Sequence, residues 1–276
     1  MIPQRNISLL SNRLAQHGGR RLREEVLERD YCLAWLLAGV AASDIKGVVG
    51  FKGGTALKRC YFSDYRFSED LDFTLLKPLL WEELRSLLVP VFALVREGSG
   101  IAFAFDRDVR PTHANSYTFY LRYVGPLPAA NDVKVDVTLR ECLVFPLEDR
   151  SVLRGYMEFS DLPQNRSIRV YSLAEIATEK TIALADAARN EPRDLYDLWH
   201  LTSNAGVELG ALLAAVRQKL EFRGKPFAGI AAAIRHKEAR LRALWSHRLA
   251  YQMASLPPFD EVFRAVQQTL RQAKVP

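Results

Sequence analysis

The spacing of apolar and polar positions predicts helices at both ends of the chain and strands between them. Residues 20–42 and 78–99 place apolar side chains at helical spacing, so each segment predicts an amphipathic helix. Segments 101–109, 116–124 and 132–141 alternate in polarity or are rich in β-branched and aromatic residues. These three segments therefore predict strands of one sheet.

The second half of the chain follows a different pattern. Residues 168–189 predict a strand and then a helix, and the helix begins with a capping box formed by Ser172 and Glu175. The remainder is helical almost throughout. We therefore predict an α+β domain with a mixed sheet over residues 1–170 and a helical C-terminal domain over residues 171–276.

A glycine turn lies between a predicted strand and a predicted helix near residue 50. The sequence DIKGVVGFKGGTAL, residues 44–57, predicts a short strand, a turn at Gly53 and Gly54, and a helix that starts near Thr55. Glycines let the backbone approach a ligand closely, and a new helix offers free N–H groups to a phosphate. The alternative is a tight turn that needs glycine only for its positive φ angle.

Two acids follow in the next predicted strand, SEDLDFTLL. Asp70 and Asp72 are two residues apart, so their carboxylates lie on the same face of a strand. Such a pair repels unless a cation neutralises it, and Mg²⁺ binds one or two carboxylates together with substrate phosphates. The alternative is two exposed acids on an edge strand, with Leu71 and Phe73 facing the core.

A third carboxylate is available from another predicted strand. Two-metal phosphoryl transfer needs ligands shared between ions about 3.5–4 Å apart, and Asp136 in VKVDVTL is the candidate for a third ligand. The alternative places Asp136 on the solvent face beside Lys134. A glycine turn followed by paired acids suits a nucleoside triphosphate with its phosphates on the turn and its metal ions on the acids.

Three later polar residues lie in predicted helices. Lys180 is in the second turn of the helix that begins at Ser172, and Asp194 and Asp197 follow in the next helix. A lysine can contact triphosphate oxygens or stabilise the pyrophosphate leaving group. The alternative is that all three are surface residues, since Pro192 at a helix start and acids in the first turn are ordinary features.

Charge is unevenly distributed along the chain, whose formal net charge is +6. Residues 201–276 contain 12 Lys/Arg and 5 Asp/Glu, whereas residues 1–200 contain 26 and 27. A basic C-terminal part indicates a polyanionic partner, most simply nucleic acid, and the alternative is a basic helical surface that serves solubility. The densest basic cluster comprises Arg235, Lys237, Arg240 and Arg242.

Membrane and disulfide-rich classes are not indicated. No apolar run reaches the roughly 18–20 residues of a membrane span, and the N-terminus lacks a signal-peptide pattern. The three cysteines lie far apart with no CxxC spacing, which predicts neither a disulfide framework nor a zinc site. These cysteines are Cys32, Cys60 and Cys142. A reducing, cytoplasmic location is expected.

The motifs around the turn and the acids resemble a known family. Residues 52–75, KGGTALKRCYFSDYRFSEDLDFTL, resemble the signature of the AbiEii/AbiGii nucleotidyltransferase toxins, which include the MenT-like toxins. That signature has a Lys-Gly-Gly-Thr turn, a short helix and an Arg-x-Ser-x-Asp-x-Asp strand. The segments SLAEIATEKTIAL and RDLYDLWHL resemble the later motifs, a Glu-Lys pair and Arg-Asp-x-x-Asp. The likeness covers about residues 25–205.

The resemblance implies a DNA-polymerase-β-like nucleotidyltransferase core followed by a helical domain. It implies that Asp70 and Asp72 bind magnesium and that Asp194 is the catalytic acid of the last motif. Asp197 also fits that motif. The residues implied in nucleotide binding are Lys52, Gly53, Gly54, Thr55, Ser68 and Lys180.

The implied activity is that of a toxin from a toxin–antitoxin pair. Such a toxin would use magnesium to add nucleotides from an NTP to RNA, most simply the tRNA 3′ end, and so block translation until its antitoxin binds. Two alternatives stay open: nucleotidylation of a protein or small molecule, and a non-catalytic nucleotide-binding partner protein. The basic C-terminal part argues mildly against a small-molecule acceptor.

Overall fold

The computed structural model describes residues 1–16, 20–107 and 115–276. In those ranges the helices are α1 (Gln4–Gln16), α2 (Glu24–Ala41), α3 (Gly53–Ala56), α4 (Trp81–Ser99), α5 (Leu173–Ala185), α6 (Pro192–Ser203), α7 (Leu213–Phe222), α8 (Ile230–His236), α9 (Glu238–Leu249) and α10 (Phe259–Gln272). The strands are β1 (Val49–Lys52), β2 (Leu71–Leu75), β3 (Ala102–Arg107), β4 (Ser116–Val124), β5 (Asn131–Thr138), β6 (Leu147–Ser151) and β7 (Ser167–Tyr171). This order of elements confirms the predicted α+β class.

The strands form one mixed sheet in the order β3-β4-β5-β2-β1-β7-β6. Strand β2 pairs antiparallel with β1 and parallel with β5, and β4 is antiparallel to both β3 and β5. Strand β1 also runs parallel to β7. The predicted strand at 101–109 is observed over Ala102–Arg107, and residues 108–109 lie outside the described residues.

Contacts between Cα atoms divide the chain into two compact units. Unit 1 contains Met1–Glu141 and Leu147–Val170, and unit 2 contains Cys142–Pro146 and Tyr171–Pro276. The whole sheet except Tyr171 belongs to unit 1. The predicted domain boundary at residues 170 and 171 stays a prediction.

One face of the sheet in unit 1 is covered by helices. Phe73 of β2, Val135 of β5 and Phe119 of β4 line a small gap together with Val40 of α2 and Leu84 of α4. Burial of these apolar groups supplies the main driving force for folding of this layer. Because side chains alternate along a strand, the neighbouring positions 72, 136 and 118 point to the opposite face.

Helix α4 begins three residues later than predicted, at Trp81 instead of residue 78. The backbone N–H of Leu80 donates to Oε2 of Glu83 at 2.7 Å. This side-chain contact satisfies an N–H just before the first turn, where no intrahelical partner exists. The cap therefore determines where the helix starts.

A buried arginine connects three segments of unit 1. Arg59, in the π-helical turn that follows α3, has a fully buried side chain that pairs with the carboxylate of Asp30 in α2. Its guanidinium also donates to the carbonyl oxygens of Asp30 at 2.8 Å, Leu153 at 3.0 Å and Arg154 at 3.2 Å. The glycine-turn helix, α2 and the chain after β6 are thus held by one side chain.

We expect Arg59→Met to lower the free energy of unfolding by about 3–5 kcal/mol, because it leaves Asp30 charged and buried without its partner. Urea unfolding followed by circular dichroism measures this change. The matched control is Arg150→Met, which removes an exposed pair with Glu148 at 2.8 Å and should cost less than about 1 kcal/mol. Equal effects in the two variants would contradict the assignment.

Candidate active site

The glycine turn and strand β2 approach each other closely. Gly53 has φ +80°, a conformation that side chains rarely adopt, and a Cβ at this position would collide with the carboxylate of Asp72. Both the backbone angle and the available space therefore require glycine. The turn consequently lies directly against one of the two predicted metal-binding acids.

Gly54 is also closely packed, against the Arg-x-Ser part of the motif. A Cβ there would lie 2.5 Å from Nη2 of Arg66 and 3.2 Å from Oγ of Ser68. Arg66 and Ser68 are both buried. Glycine is therefore required at position 54 because a Cβ would collide with these two side chains. The sequence alone does not reveal this requirement.

Thr55 holds the chain just before β2. Its buried hydroxyl donates to the main-chain carbonyl of Asp70 at 2.5 Å. This hydrogen bond links the first turn of α3 to the residue that carries the first predicted carboxylate. In this structure Thr55 therefore positions Asp70.

The acids and two other polar residues form a row across four strands. The register pairs Lys52 of β1 with Asp72 of β2, Asp72 with Asp136 of β5, and Asp136 with Thr118 of β4. Residues paired in register point to the same face of a sheet. Asp70 directly precedes β2 and is half-buried, as are Asp72 and Asp136. We call Lys52, Asp72, Asp136 and Thr118 the polar row.

Lys134 provides a cation beside the polar row. Its Nζ lies 2.5 Å from Oδ2 of Asp136, while the Thr118 hydroxyl donates to Oδ1 of Asp136 at 2.5 Å. Burial lowers the pKa of Lys134, but its contact with Asp136 and the charges of Asp136, Asp70 and Asp72 outweigh that effect and raise the pKa. The site therefore attracts positive charge.

Both sequence readings of Asp136 describe part of its environment. Asp136 shares a face with Lys134, as the solvent-face alternative expected, and it is also the register neighbour of Asp72. Its role as a metal ligand stays a prediction. Thr118 has no signal in the sequence near the motifs, because only the β4–β5 register brings it to Asp136.

The carboxylate donors suit a hard divalent cation. Oxygen ligands from one or two carboxylates, completed by substrate phosphates, are the usual set for Mg²⁺. Within the described residues, no three His, Cys, Asp or Glu side chains come together as a metal-binding group. Asp70 and Asp72 therefore fit a cation whose coordination is completed by substrate and water.

Unit 2 contains a separate cluster around Lys180. The buried Lys180 of α5 has its Nζ 2.7 Å from Oδ1 of Asp194 and 2.6 Å from Oδ2 of Asp197, both in α6. Arg189 Nε also lies 2.5 Å from Oδ2 of Asp194. The alternative that Lys180, Asp194 and Asp197 are surface residues is therefore wrong, since tertiary packing of α5 on α6 buries them. The two acids left open by the sequence both contact the lysine.

The charges around Asp194 control its protonation. Burial alone would raise the pKa of Asp194, but the positive charges of Lys180 and Arg189, and their hydrogen bonds to the carboxylate, lower it below the ordinary value. Asp194 is consequently ionised at neutral pH. The cluster holds Lys180 between two carboxylates.

The predicted basic cluster in residues 235–242 is only partly a charged surface. Lys237 is buried, and its Nζ donates to three carbonyl oxygens: that of Leu184 at 2.7 Å, that of Arg189 at 2.8 Å, and that of Asp186. Two of these carbonyls, those of Leu184 and Asp186, lie at the C-terminus of α5, where the last carbonyls have no intrahelical partner.

The other three members of that cluster are exposed, but they differ in their contacts. Arg242 is engaged by Glu238 at 2.9 Å and Asp260 at 2.6 Å. Arg235 lies in the last turn of α8 and Arg240 lies in α9, because the helix is interrupted at Lys237. Arg235 and Arg240 thus remain the members best suited to meet a polyanion.

Comparison with known proteins adds a family and a fold. The sequence profile of the nucleotidyl transferase AbiEii toxins of type IV toxin–antitoxin systems matches residues 35–265. The structure is similar to MenT4, a nucleotidyltransferase toxin from Mycobacterium tuberculosis H37Rv, with a TM-score of 0.66 and 18% sequence identity. The alignment covers 97% of this chain and 89% of MenT4. No curated protein sequence gives a significant match.

We expect Asp194→Asn to be less stable than the wild type at pH 7, and this difference should narrow in acid. A carboxyl group with a lowered folded-state pKa contributes stability above its ordinary pKa of about 3.9, and the contribution is lost as pH falls through the folded-state value. Urea unfolding at several pH values between 7 and 2.5 measures the effect. The control is Asp132→Asn at an exposed position. A difference that stays constant across this range would contradict the pKa assignment.

Proposed function

Because the chain belongs to the AbiEii family of nucleotidyl transferase toxins of type IV toxin–antitoxin systems, we propose that it is a magnesium-dependent enzyme that adds nucleotides to the 3′ end of RNA, most of all tRNA. Family membership makes the chain a nucleotidyltransferase with a nucleotide substrate and an antitoxin partner. The modified tRNA would no longer serve translation. We place this activity in the cytoplasm, where tRNA and NTPs meet.

One observation carries the magnesium assignment: Asp72 lies directly against the Gly53 backbone, in a row that attracts positive charge. A triphosphate brought to the Gly53–Gly54 turn would thus be beside the carboxylates that hold its counter-cation. Asp70 and Asp72 are the proposed magnesium ligands, and Asp136 is the proposed third acid of the site.

None of the described helices is long and apolar enough to cross a membrane.

The reaction would transfer one nucleotidyl group. The RNA 3′ hydroxyl gives up its proton to solvent and its oxygen forms a bond to the α-phosphorus of the NTP. The bond from that phosphorus to the oxygen that bridges the α- and β-phosphates breaks, and pyrophosphate leaves with the electron pair. Bound magnesium supplies charge neutralisation on the triphosphate and lowers the pKa of the attacking hydroxyl. The carboxylates of Asp70 and Asp72 would hold the cation for that purpose.

The other motif residues have proposed roles in binding and positioning. Lys52 and Ser68 would contact the nucleotide, and Gly53 and Gly54 would allow its phosphates to approach the backbone. Thr55 would contribute by fixing the main chain at Asp70 through its hydroxyl. These proposed roles follow the family signature, and the role of Thr55 also rests on its contact in unit 1.

In unit 2, Lys180 is the proposed nucleotide contact and Asp194 the proposed catalytic acid of the last motif. Nζ of Lys180 lies 2.7 Å from Asp194 and 2.6 Å from Asp197, and these two contacts limit the rotation of its ammonium group. A protonated lysine stabilises phosphate charge and a leaving pyrophosphate. Asp197 would also orient Lys180.

We expect Asp70→Asn and Asp72→Asn to reduce nucleotide transfer by at least about 100-fold with little change in stability, because the acids hold the cation rather than the core. The assay incubates protein with each labelled NTP, total RNA and Mg²⁺ and separates the RNA on a gel. Asp132→Asn, an exposed acid on β5 outside the site, is the matched control.

The same assay distinguishes the alternatives. Near wild-type incorporation by either Asp variant would reject the magnesium assignment. If the label appears on a protein or a small molecule instead of RNA, the proposed RNA acceptor is wrong, but the protein is still a nucleotidyltransferase.

We also expect exposed basic residues of unit 2 to bind the RNA backbone. The double variant Arg235→Glu/Arg240→Glu should weaken tRNA binding and reduce the slope of log affinity against log salt by about one for each lost phosphate contact. Filter binding of total tRNA across a salt series measures both quantities. Arg242→Glu is the comparison, because Glu238 and Asp260 already engage that side chain. An unchanged affinity and slope in the double variant would locate the acceptor elsewhere.

A further inference from the structure

Lys134 is a charged group of unit 1 that the family motifs do not include. It lies on β5 two residues before Asp136, so both side chains are on the polar face of the sheet. Its side chain is 38% exposed, and its ammonium group nevertheless lies 2.5 Å from Asp136. A flexible, half-exposed lysine held this closely indicates a strong local attraction for positive charge.

Both oxygens of Asp136 are used within the protein. Oδ1 accepts from the Thr118 hydroxyl at 2.5 Å and Oδ2 from Lys134 at 2.5 Å. Each oxygen of Asp136 thus already accepts a hydrogen bond from a side chain on the same face of the sheet. The contacts of Asp136 are therefore those of a residue that orients a lysine.

The field at Lys134 comes from the whole group of acids. Asp136 contacts Lys134 directly, and Asp72 is the register neighbour of Asp136 on the same face of the sheet. An ammonium group in this position partly neutralises the mutual repulsion of the carboxylates. The charge that a second metal ion would supply is thus provided by a side chain of the protein.

We infer that Lys134 is a resident cation of the acid group: Asp136 and Thr118 position it, and it takes the place of a second divalent ion beside the ion held by Asp70 and Asp72. This inference rests on the proposed function, since it concerns the same metal site. Asp136 is then a positioning residue for Lys134 rather than a direct ligand. The ammonium group faces the side of the sheet to which the nucleotide phosphates are assigned.

Removing the lysine charge should free Asp136 for metal. In Lys134→Met, we expect Mn²⁺ alone to bind the full chain at least about tenfold more tightly than in the wild type, because a nearby positive charge is gone and a third carboxylate becomes available. Electron paramagnetic resonance of free Mn²⁺ during a titration measures the affinity and the number of ions. Lys134→Arg, which keeps the charge, should bind like the wild type.

Two further variants isolate the contact with Asp136. The double variant Lys134→Met/Asp136→Asn should return to nearly wild-type Mn²⁺ affinity, since the freed carboxylate is removed again. Arg122→Met removes a positive charge from the same face of the neighbouring strand β4, where Arg122 pairs in register with Asp132. Its effect on Mn²⁺ affinity should be less than about threefold, because a more distant exposed charge is screened.

Three outcomes would overturn the inference. The first is equal Mn²⁺ affinity in Lys134→Met and the wild type, including undetectable binding in both. The second is an equal gain in Arg122→Met. The third is an Asp136→Asn variant that loses as much Mn²⁺ affinity as Asp72→Asn, which would make Asp136 a direct ligand. The titration contains neither NTP nor RNA, so its result does not depend on which acceptor the enzyme uses.

Discussion

The buried ion pair between Arg59 and Asp30 is the contact on which the arrangement of unit 1 depends. The guanidinium joins α2, the turn after α3 and the chain at Leu153 and Arg154 through one group of hydrogen bonds. Separating the partners of a buried ion pair is costly, so these segments are constrained to keep their positions around the guanidinium. The glycine turn that precedes Arg59 in the chain is thereby held against β2, and the position of Gly53 beside Asp72 follows from that restraint.

Charge compensation also organises the two candidate sites. In unit 1, carboxylates gather on one face of the sheet and Lys134 accompanies them. In unit 2, Lys180 lies between two carboxylates, and Lys219 contacts Glu175 at 2.5 Å and Glu179 at 2.6 Å. In unit 1 the three carboxylates of Asp70, Asp72 and Asp136 outnumber the single charge of Lys134 before any ligand binds. Binding a triphosphate, which is strongly anionic, therefore requires an accompanying cation, and this requirement links nucleotide and metal in the proposed reaction.

The sequence predicts the class of fold and the main strands well, because alternation and β-branched content report directly on a half-buried sheet. The motif around Asp70 and Asp72 was recognisable because its residues are adjacent in the chain. Thr118 was not assigned a role, since its meeting with Asp136 depends on strand register. Lys134 was placed beside Asp136 from the sequence, but only as part of a solvent face. Lysines in helices were expected at the surface, yet Lys219 is fully buried and Lys237 reaches three carbonyls. Only tertiary packing supplies those partners.

The predicted capping box at Ser172 is partly confirmed. The Ser172 hydroxyl accepts from the Glu175 N–H, but the Glu175 side chain binds Lys219 and the N–H groups of Val144 and Phe145.

The short segment Cys142–Pro146 gives unit 2 a discontinuous chain. Its backbone donates two N–H groups to Glu175, and the Cys142 carbonyl accepts from Lys219 at 2.8 Å. A fragment that starts at Tyr171 would retain the buried Glu175 and Lys219 but lose these partners, and buried polar groups without partners are costly. Unit 2 is therefore not an autonomous cassette that a single cut can release. During synthesis, the contacts of residues 142–146 with Lys219 cannot form until that lysine has been made, some 75 positions later in the chain.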